Sequence, residues 1–409
     1  MTEFSRSVLA RCDALAALTE TPGMITRTYL TDQHAAANRL VGGWMAEAGM
    51  TVAVDGAGSV TGRIEGTGAD PQTVIIGSHL DSVRNAGRYD GILGVVLGIS
   101  VVDAIVRSGR RLPFAIEVVG FGEEEGVRFG TSLIGSRALA GTFRPEWLRL
   151  KDEAGISLSK ALREFGLDPA AVAGTARSPG SVKAYLEAHI EQGPVLESLS
   201  LPVGVVSAIC GATRRRFRVA GTAGHAGTVP MDQRRAALAG AAEMGLAIER
   251  IAGTAGIVGT VGRLSVHPDA VNVIPGDVVF TLDLRAERDH DRITALADID
   301  DALDAIANRR RLAVERETFH ESPSVPCDPA LRRVLEDAIT AGGVAPHTLP
   351  SGAGHDAMAI APLAPVAMLF IRCAGGISHN PAEQVMAADI DVAGTILADT
   401  VFRLADIPR

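Results

Sequence analysis

Four short apolar runs each hand over to a cluster of histidines and carboxylates, and this repeated juxtaposition limits what the chain can fold into. Thr73-Val74-Ile75-Ile76 leads into Gly77-Ser78-His79-Leu80-Asp81 and on to Asp90-Gly91. Phe114 to Val119 leads into Phe121-Gly122-Glu123-Glu124-Glu125-Gly126. Val182 to Leu186 precedes Glu187-Ala188-His189-Ile190-Glu191-Gln192-Gly193, and Val366 to Ile371 precedes Gly376-Ile377-Ser378-His379-Asn380-Pro381. Short β-branched runs bounded in this way read as buried strands. Ile92 to Val106, after the first cluster, is apolar and long enough for a packed helix. Strands alternating with helices imply a largely parallel α/β sheet covered on both faces. Ligands bind such sheets in the connections at the strand ends, which is where His79, Asp81 and Asp90 are expected. A hydrophobic strand has no packing reason to end in imidazoles and carboxylates. A metal ion supplies one, because neutral His and ionised Asp suit zinc or manganese.

The rest of the chain fits around this sheet. Residues 1 to 50 read as helical, broken at Pro22-Gly23, and Thr51 to Ile64 as a strand pair turned at Asp55-Gly56. Arg144 to Ser181 is a polar insertion with one helix, Leu158 to Phe165, before the sheet resumes at Val182 and again at Val203 to Ile209. From about Ala212 the pattern changes to strand Thr213–Ala220, helix Ala236–Ile251, strands Val258–Val266 and Val278–Leu284, helix Arg292–Ala307 and strand Leu312–Thr318. The order β-α-β-β-α-β is the ferredoxin-like unit. Arg214, Arg215, Arg216 and Arg218 read as a solvated strand face or interface charges. Pro323 and Pro326 mark the return, after which the first domain is completed by a C-terminal helix near Asp389 to Leu404. The expected division is a discontinuous domain of residues 1–211 and 327–409 and an inserted domain of 212–326.

Composition narrows the functional class. The formal charge of −9 argues against a nucleic-acid partner, whose footprint would be basic, and supplies no polybasic patch for a membrane. No run of about 18 apolar residues suggests a membrane span, and the N-terminus lacks a signal-peptide pattern. Cys12, Cys210, Cys327 and Cys373 are scattered, form no Cys-x-x-Cys pair, and so suggest neither a zinc ribbon nor a disulfide scaffold. The expected setting is the cytoplasm.

The set His79-x-Asp81, Asp90-Gly91, Glu124-Glu125-Gly126, His189 and His379 resembles the dinuclear-metal amidohydrolases of the peptidase M20 superfamily. Glu124 to Phe129, Glu187 to Pro194, Gly224-His225-Ala226-Gly227-Thr228 and Ser351 to Ala357 are similar to the hydantoinase/carbamoylase branch. That branch contains allantoate amidohydrolases, N-carbamoyl-L-amino acid hydrolases and β-ureidopropionases. The resemblance implies two divalent ions per subunit, zinc or manganese with cobalt or nickel also accepted. His79, Asp90 and His189 would hold one ion, and Asp90, Glu125 and His379 the other. Two dications about 3.5–4 Å apart repel, so a shared carboxylate is physically needed. Asp81 is expected to accept the second imidazole N–H of His79 and fix its tautomer.

Successive side chains at a strand end point apart, so Glu123, Glu124 and Glu125 cannot all serve one ion. With Glu125 as a ligand, the resemblance makes Glu124 the general base and leaves Glu123 facing solvent. His225 would stabilise the oxyanion, often in the partner's site. Gln192, Asn272 and Arg285, with Gly352 and His355 in a Gly-rich loop, would bind the substrate. The inserted domain is implied to act as a lid and to form a homodimer. Allantoate is the first expected substrate and N-carbamoyl-L-amino acids the second. More distant readings are an M20 aminoacylase or dipeptidase, and a non-catalytic binding protein. Retention of all five ligands together with Glu124 argues against the last.

Overall fold

The strand Thr73–His79 is buried along its whole length. So are Ala115–Phe121 on one side of it and, but for Lys183, Val182–Ile190 on the other. These three strands and Val366–Ile371 run parallel, as their near-continuous apolar sequences require of strands covered on both faces. The computed structural model describes residues 1–406. The full strand order is Thr51–Val54, Val60–Ile64, Ala115–Phe121, Thr73–His79, Val182–Ile190, Val366–Ile371, Val203–Ile209 and Val325–Pro326, with Thr348–Ser351 also paired to Val203–Ile209. The sheet is therefore parallel at its centre and antiparallel at both margins.

Two compact units divide the chain. One contains Met1–Ser207, Cys327–Leu349 and Ala353–Arg409, and the other Ala208–Pro326 and Pro350–Gly352. In the first, helix Ile92–Arg107 lies against the central strands. Gly94 permits the close approach, since a Cβ there would stand 2.1 Å from the carbonyl oxygen of Ala188. Helices Glu3–Ala16 and Ala387–Arg403 pack against it, and Pro329–Ala341 packs against Ala387–Arg403; Val8, Leu335, Ile390 and Leu397 are buried with Val95 and Ile99 in one core. Burial of a side chain of this size contributes about 1.5–3 kcal/mol. The insertion holds helix Leu158–Glu164 and two 3-10 segments, Pro145–Arg149 and Pro169–Thr175. It builds a small core of its own with Tyr29, Phe129 and Ile134.

The second unit has the expected order. Strand Gly211–Ala220, helix Ala237–Ala255, strands Val258–His267 and Asp277–Ala286, helix Asp289–Arg310 and strand Ala313–Ser322 follow one another. The four long strands form an antiparallel sheet in the spatial order fourth, first, third, second. Phe217, Val219, Phe280 and Leu282 pack with Met244, Ile248, Ile299 and Leu303 of the two helices. A separate ladder of Gly224–His225 with Val273–Ile274 lies outside this sheet. Among the described residues, no helix is long and apolar enough to cross a membrane.

Candidate metal centre

Neighbouring parallel strands end in His79 and His189, so both imidazoles emerge at the same edge of the sheet. Each histidine is the last or next-to-last residue of its strand, rather than part of the following loop as the sequence suggests. His79 Nδ1 lies 3.0 Å from the carbonyl oxygen of Asp81, and His189 Nδ1 lies 2.8 Å from that of Ile190. A ring nitrogen facing a carbonyl must carry the proton, so this arrangement assigns the lone pair of each imidazole to Nε2. His189 Nε2 accepts the Gly91 N–H at 3.2 Å and stands 3.3 Å from Asp90 Oδ1. Asp90 Oδ2 is 3.0 Å from His379 Nε2, and His379 Nε2 is 3.6 Å from Glu125 Oε1. Ligand atoms of His79, Asp90 and His189 all lie within 4.8 Å of one another, as do those of Asp90, Glu125 and His379 and those of His79, Glu124 and Glu125. Asp90 belongs to two of these sets.

The donor set fits a divalent cation. Glu125 Oε1 is buried without a hydrogen-bond partner, and buried charges are ordinarily paired or coordinate metals. Burial, reinforced by Glu125, Asp356 and Asp81 against the opposing pull of His79, pushes the Glu124 carboxyl well above the usual carboxylate range. Burial also raises Glu125 to about 7 and holds His189 down at about 4. The site thus gathers acceptors and crowded carboxyl groups with too little positive charge of its own. Gly91, with φ +68°, makes room for the ring of His79, because a Cβ there would lie 2.3 Å from Nε2.

Other expected residues are placed with differences. Asp81 is fully buried, but its carboxylate is 3.8 Å from His79 Nδ1; the main-chain carbonyl of Asp81 meets the imidazole instead. The carboxylate accepts the backbone N–H groups of Glu124 and Glu125, each at 3.1 Å. Glu123 does not face solvent: it is 0% exposed, and its Oε1 accepts the N–H groups of Arg128 and Phe129 at 3.1 and 2.9 Å. The chain leaves the strand at Phe121, and Glu123 adopts a left-handed φ of +60°. That twist turns Glu123 inward and lets the adjacent Glu124 and Glu125 converge, which strand geometry would forbid. Gln192 donates from Nε2 to Asp90 Oδ1 and to Ser378 Oγ, both at 3.0 Å. His355 is buried with its ring 4.5 Å from that of His189, and a Cβ at Gly354 would stand 3.8 Å from Glu124 Oε1.

The remaining expected residues lie in the second unit. His225 is exposed, and its Nδ1 accepts the Gly227 N–H at 3.0 Å. It is brought beside Asn272, whose carbonyl accepts the Ala226 N–H at 3.0 Å. Arg285 grips Asp283 through Nε and Nη2, both at 2.8 Å, and donates from Nη1 to the Gly352 carbonyl at 2.6 Å. Arg214 also donates to Asp283, at 2.9 Å, so two guanidiniums share one carboxylate. Arg216 and Arg218 pair with Glu317 and Asp277 across the strands.

Sequence reasoning missed two buried carboxylates. Glu383 accepts the N–H groups of Tyr89 and Asp90, and no motif or spacing pointed to it. Glu187 was visible in its motif without a role; it accepts from Ser78 Oγ at 3.1 Å, Tyr185 Oη at 3.2 Å and the Ala357 N–H at 3.0 Å.

Peptidase family M20/M25/M40 matches residues 75–403. An N-carbamoyl-L-amino acid amidohydrolase of Geobacillus stearothermophilus is 44% identical over 94% of this chain and 94% of its own length. An allantoate deiminase of Arabidopsis thaliana is 39% identical over 96% of this chain and 81% of its own. The crystal structure of an amidase of the hydantoinase/carbamoylase family from Burkholderia multivorans superposes with a TM-score of 0.93 at 34% identity, covering 99% of this chain and 98% of that one. On the site geometry and these similarities together, the chain belongs to peptidase family M20, in its hydantoinase/carbamoylase branch, and is a hydrolase of carbon–nitrogen bonds.

Proposed function

We propose that this chain hydrolyses the C–N bond of a linear ureido or carbamoyl group on a small carboxylate, with allantoate first and N-carbamoyl-L-amino acids second. The carrying observation is that Asp90 is common to two sets of converging ligand atoms. In this reading His79, Asp90 and His189 hold one divalent ion, and Asp90, Glu125 and His379 the other. Bound there, the ions supply Lewis acidity toward the substrate carbonyl and acidify water. Glu124 takes the proton of the attacking water and passes it to the leaving nitrogen, the usual work of a buried carboxylate acid–base group.

Recognition of the substrate falls to side chains that offer donors. Arg285 keeps two of its five N–H donors beyond the three engaged by Asp283 and Gly352. Arg214, Arg285 and Asp283 together carry one net positive charge, which suits a carboxylate. Gln192 faces the ureido group, Gly352 and His355 line the approach, and His225 donates to the developing oxyanion. His225 and Asn272 serve the partner's site in a homodimer formed through the inserted domain. That assignment is supported by family resemblance and by the exposure of both residues.

The test is turnover of allantoate, N-carbamoyl-L-amino acids, N-acyl amino acids and dipeptides by the metal-loaded chain. Ureido carboxylates should be consumed with release of ammonia, and the ratio of the first two ranks the substrates. Preferential cleavage of N-acyl amino acids or dipeptides would overturn the reading in favour of an aminoacylase or peptidase. No turnover of any of them would leave a binding protein.

A further inference from the structure

The loop that carries Asp90 and the loop that carries His379 are far apart in sequence, yet one side chain ties them together. Glu383 is 2% exposed. Its Oε1 accepts the backbone N–H groups of Tyr89 at 2.7 Å and Asp90 at 3.1 Å. Its Oε2 accepts the Ser378 hydroxyl at 3.1 Å. Ser378 Oγ in turn accepts from Gln192 Nε2, which also donates to Asp90 Oδ1. The circuit therefore grips Asp90 twice, at its amide and at its carboxylate, and grips the hydroxyl of Ser378, the residue before His379, from both Glu383 and Gln192. His379 itself has a left-handed φ of +54°, a conformation that a non-glycine residue keeps only when its surroundings hold it there.

The opposite wall of this circuit is Gly87. Its φ lies outside the left-handed region, so the backbone conformation alone would accept any L residue. What forbids a side chain is Glu383: a Cβ on Gly87 would stand 2.2 Å from the Glu383 carboxyl carbon and 2.3 Å from Oε1. The missing methyl at residue 87 is the space that the Glu383 carboxylate occupies.

We propose that Glu383, seated against Gly87, is a positioning residue that locks the bridging carboxylate Asp90 and the His379 loop into one metal-binding geometry. The proposal rests on the reading of Asp90 and His379 as metal ligands. Glu383 touches neither the ion nor the substrate; it acts through the amides of residues 89 and 90 and the hydroxyl of Ser378.

The experiment titrates metal-free chain with Mn2+ alone by calorimetry, for wild type, Glu383→Ala, Glu383→Gln, Gly87→Ala and the double variant Gly87→Ala/Glu383→Ala. Glu383→Ala should weaken Mn2+ binding about 10–100-fold, the usual cost of losing a group that orients a metal ligand. Glu383→Gln keeps an oxygen for both amides and should bind close to wild type. Gly87→Ala should reproduce the loss, and the double variant should lose no more than either single one, because the clashing atoms are gone. In the metal-free proteins, amide exchange at Tyr89 and Asp90 should speed up in Glu383→Ala and Gly87→Ala but not in Glu383→Gln. Wild-type affinity in Glu383→Ala, or additive losses in the double variant, would overturn the brace. Should Glu383→Ala not fold, Gly87→Ala and Glu383→Gln decide: wild-type binding in the first or weakened binding in the second overturns it. A wild-type chain that binds no Mn2+ would instead overturn the metal reading beneath it.

Discussion

Replacing Gly91 by alanine puts one methyl group where the ring of His79 already lies. The added Cβ would stand 2.3 Å from Nε2 and 2.4 Å from both Cδ2 and Cε1. No rotamer of a single methyl avoids this, so the imidazole or the loop must move. Two costs add. Holding an L residue at φ +68° costs roughly 1–2 kcal/mol, and forcing a methyl into packed surroundings typically costs about 1–3 kcal/mol more. Gly130 provides the control: it has the same φ of +68°, but a Cβ there meets nothing within 4 Å. Gly130→Ala should therefore show the backbone cost alone, and Gly91→Ala a total of about 2–5 kcal/mol. Urea unfolding of the metal-free proteins reads this difference, and a Mn2+ titration reads the second consequence. Gly91→Ala should bind the ion at least about tenfold more weakly, because the displaced Nε2 no longer points into the site. Equal stability of the two variants, with wild-type metal affinity in both, would refute the placement of His79 against the Asp90–Gly91 turn.

Other outcomes follow from the same geometry. Glu124→Gln should keep the metal content of the wild type and lose roughly two to four orders of magnitude in rate; near-wild-type turnover in that variant would remove Glu124 as the base. Asp90→Ala should disturb both ligand sets at once, seen as a loss of more than one ion by elemental analysis, whereas His189→Ala should spare the set of Asp90, Glu125 and His379. Mixing Glu124→Gln chains with His225→Ala chains should restore activity if His225 serves the partner, and demonstrated heterodimers without activity would confine His225 to its own chain. His34 is fully buried and burial holds it down at about 3, below about 6.5 for the unfolded chain. The unfolded state then binds the extra proton, so stability is complete above pH 6.5 and drains as pH falls toward 3. By pH 5 this amounts to about 2 kcal/mol. His34→Gln should flatten the fall in urea stability between pH 7 and 5, and an unchanged slope would contradict it.

The central strands and the positions of His79 and His189 were legible because polar residues at the strand ends interrupt apolar runs that packing alone would leave unbroken. The β-α-β-β-α-β order of the second unit was legible for the same reason, through its alternation of periods. What escaped the sequence depends on backbone twist. Glu123 was expected to face solvent, but with its left-handed φ it is buried, and the adjacent Glu124 and Glu125 offer ligand atoms to one set. Asp81 stands close enough to His79 in sequence to suggest a carboxylate–imidazole contact, yet its main chain makes that contact and its carboxylate caps two amides. Helix Pro329–Ala341 was not anticipated, although Asp328 caps it by accepting the N–H groups of Ala330 and Leu331 and Pro329 opens it. Glu383 could not be found from spacing, since the Tyr89 and Asp90 amides it accepts from lie some 290 positions away. Gly87 acquires its meaning only once that carboxylate is seen against it.

In the proposed function one shared carboxylate, Asp90, organises a two-ion hydrolytic centre. The most direct measurement is elemental analysis of the chain alongside its turnover of allantoate and N-carbamoyl-L-amino acids, before and after chelation and after readdition of Mn2+ or Zn2+. Two divalent ions per chain are expected, with loss of turnover as they are removed and recovery when they return. Undiminished turnover by protein shown to be metal-free would contradict it.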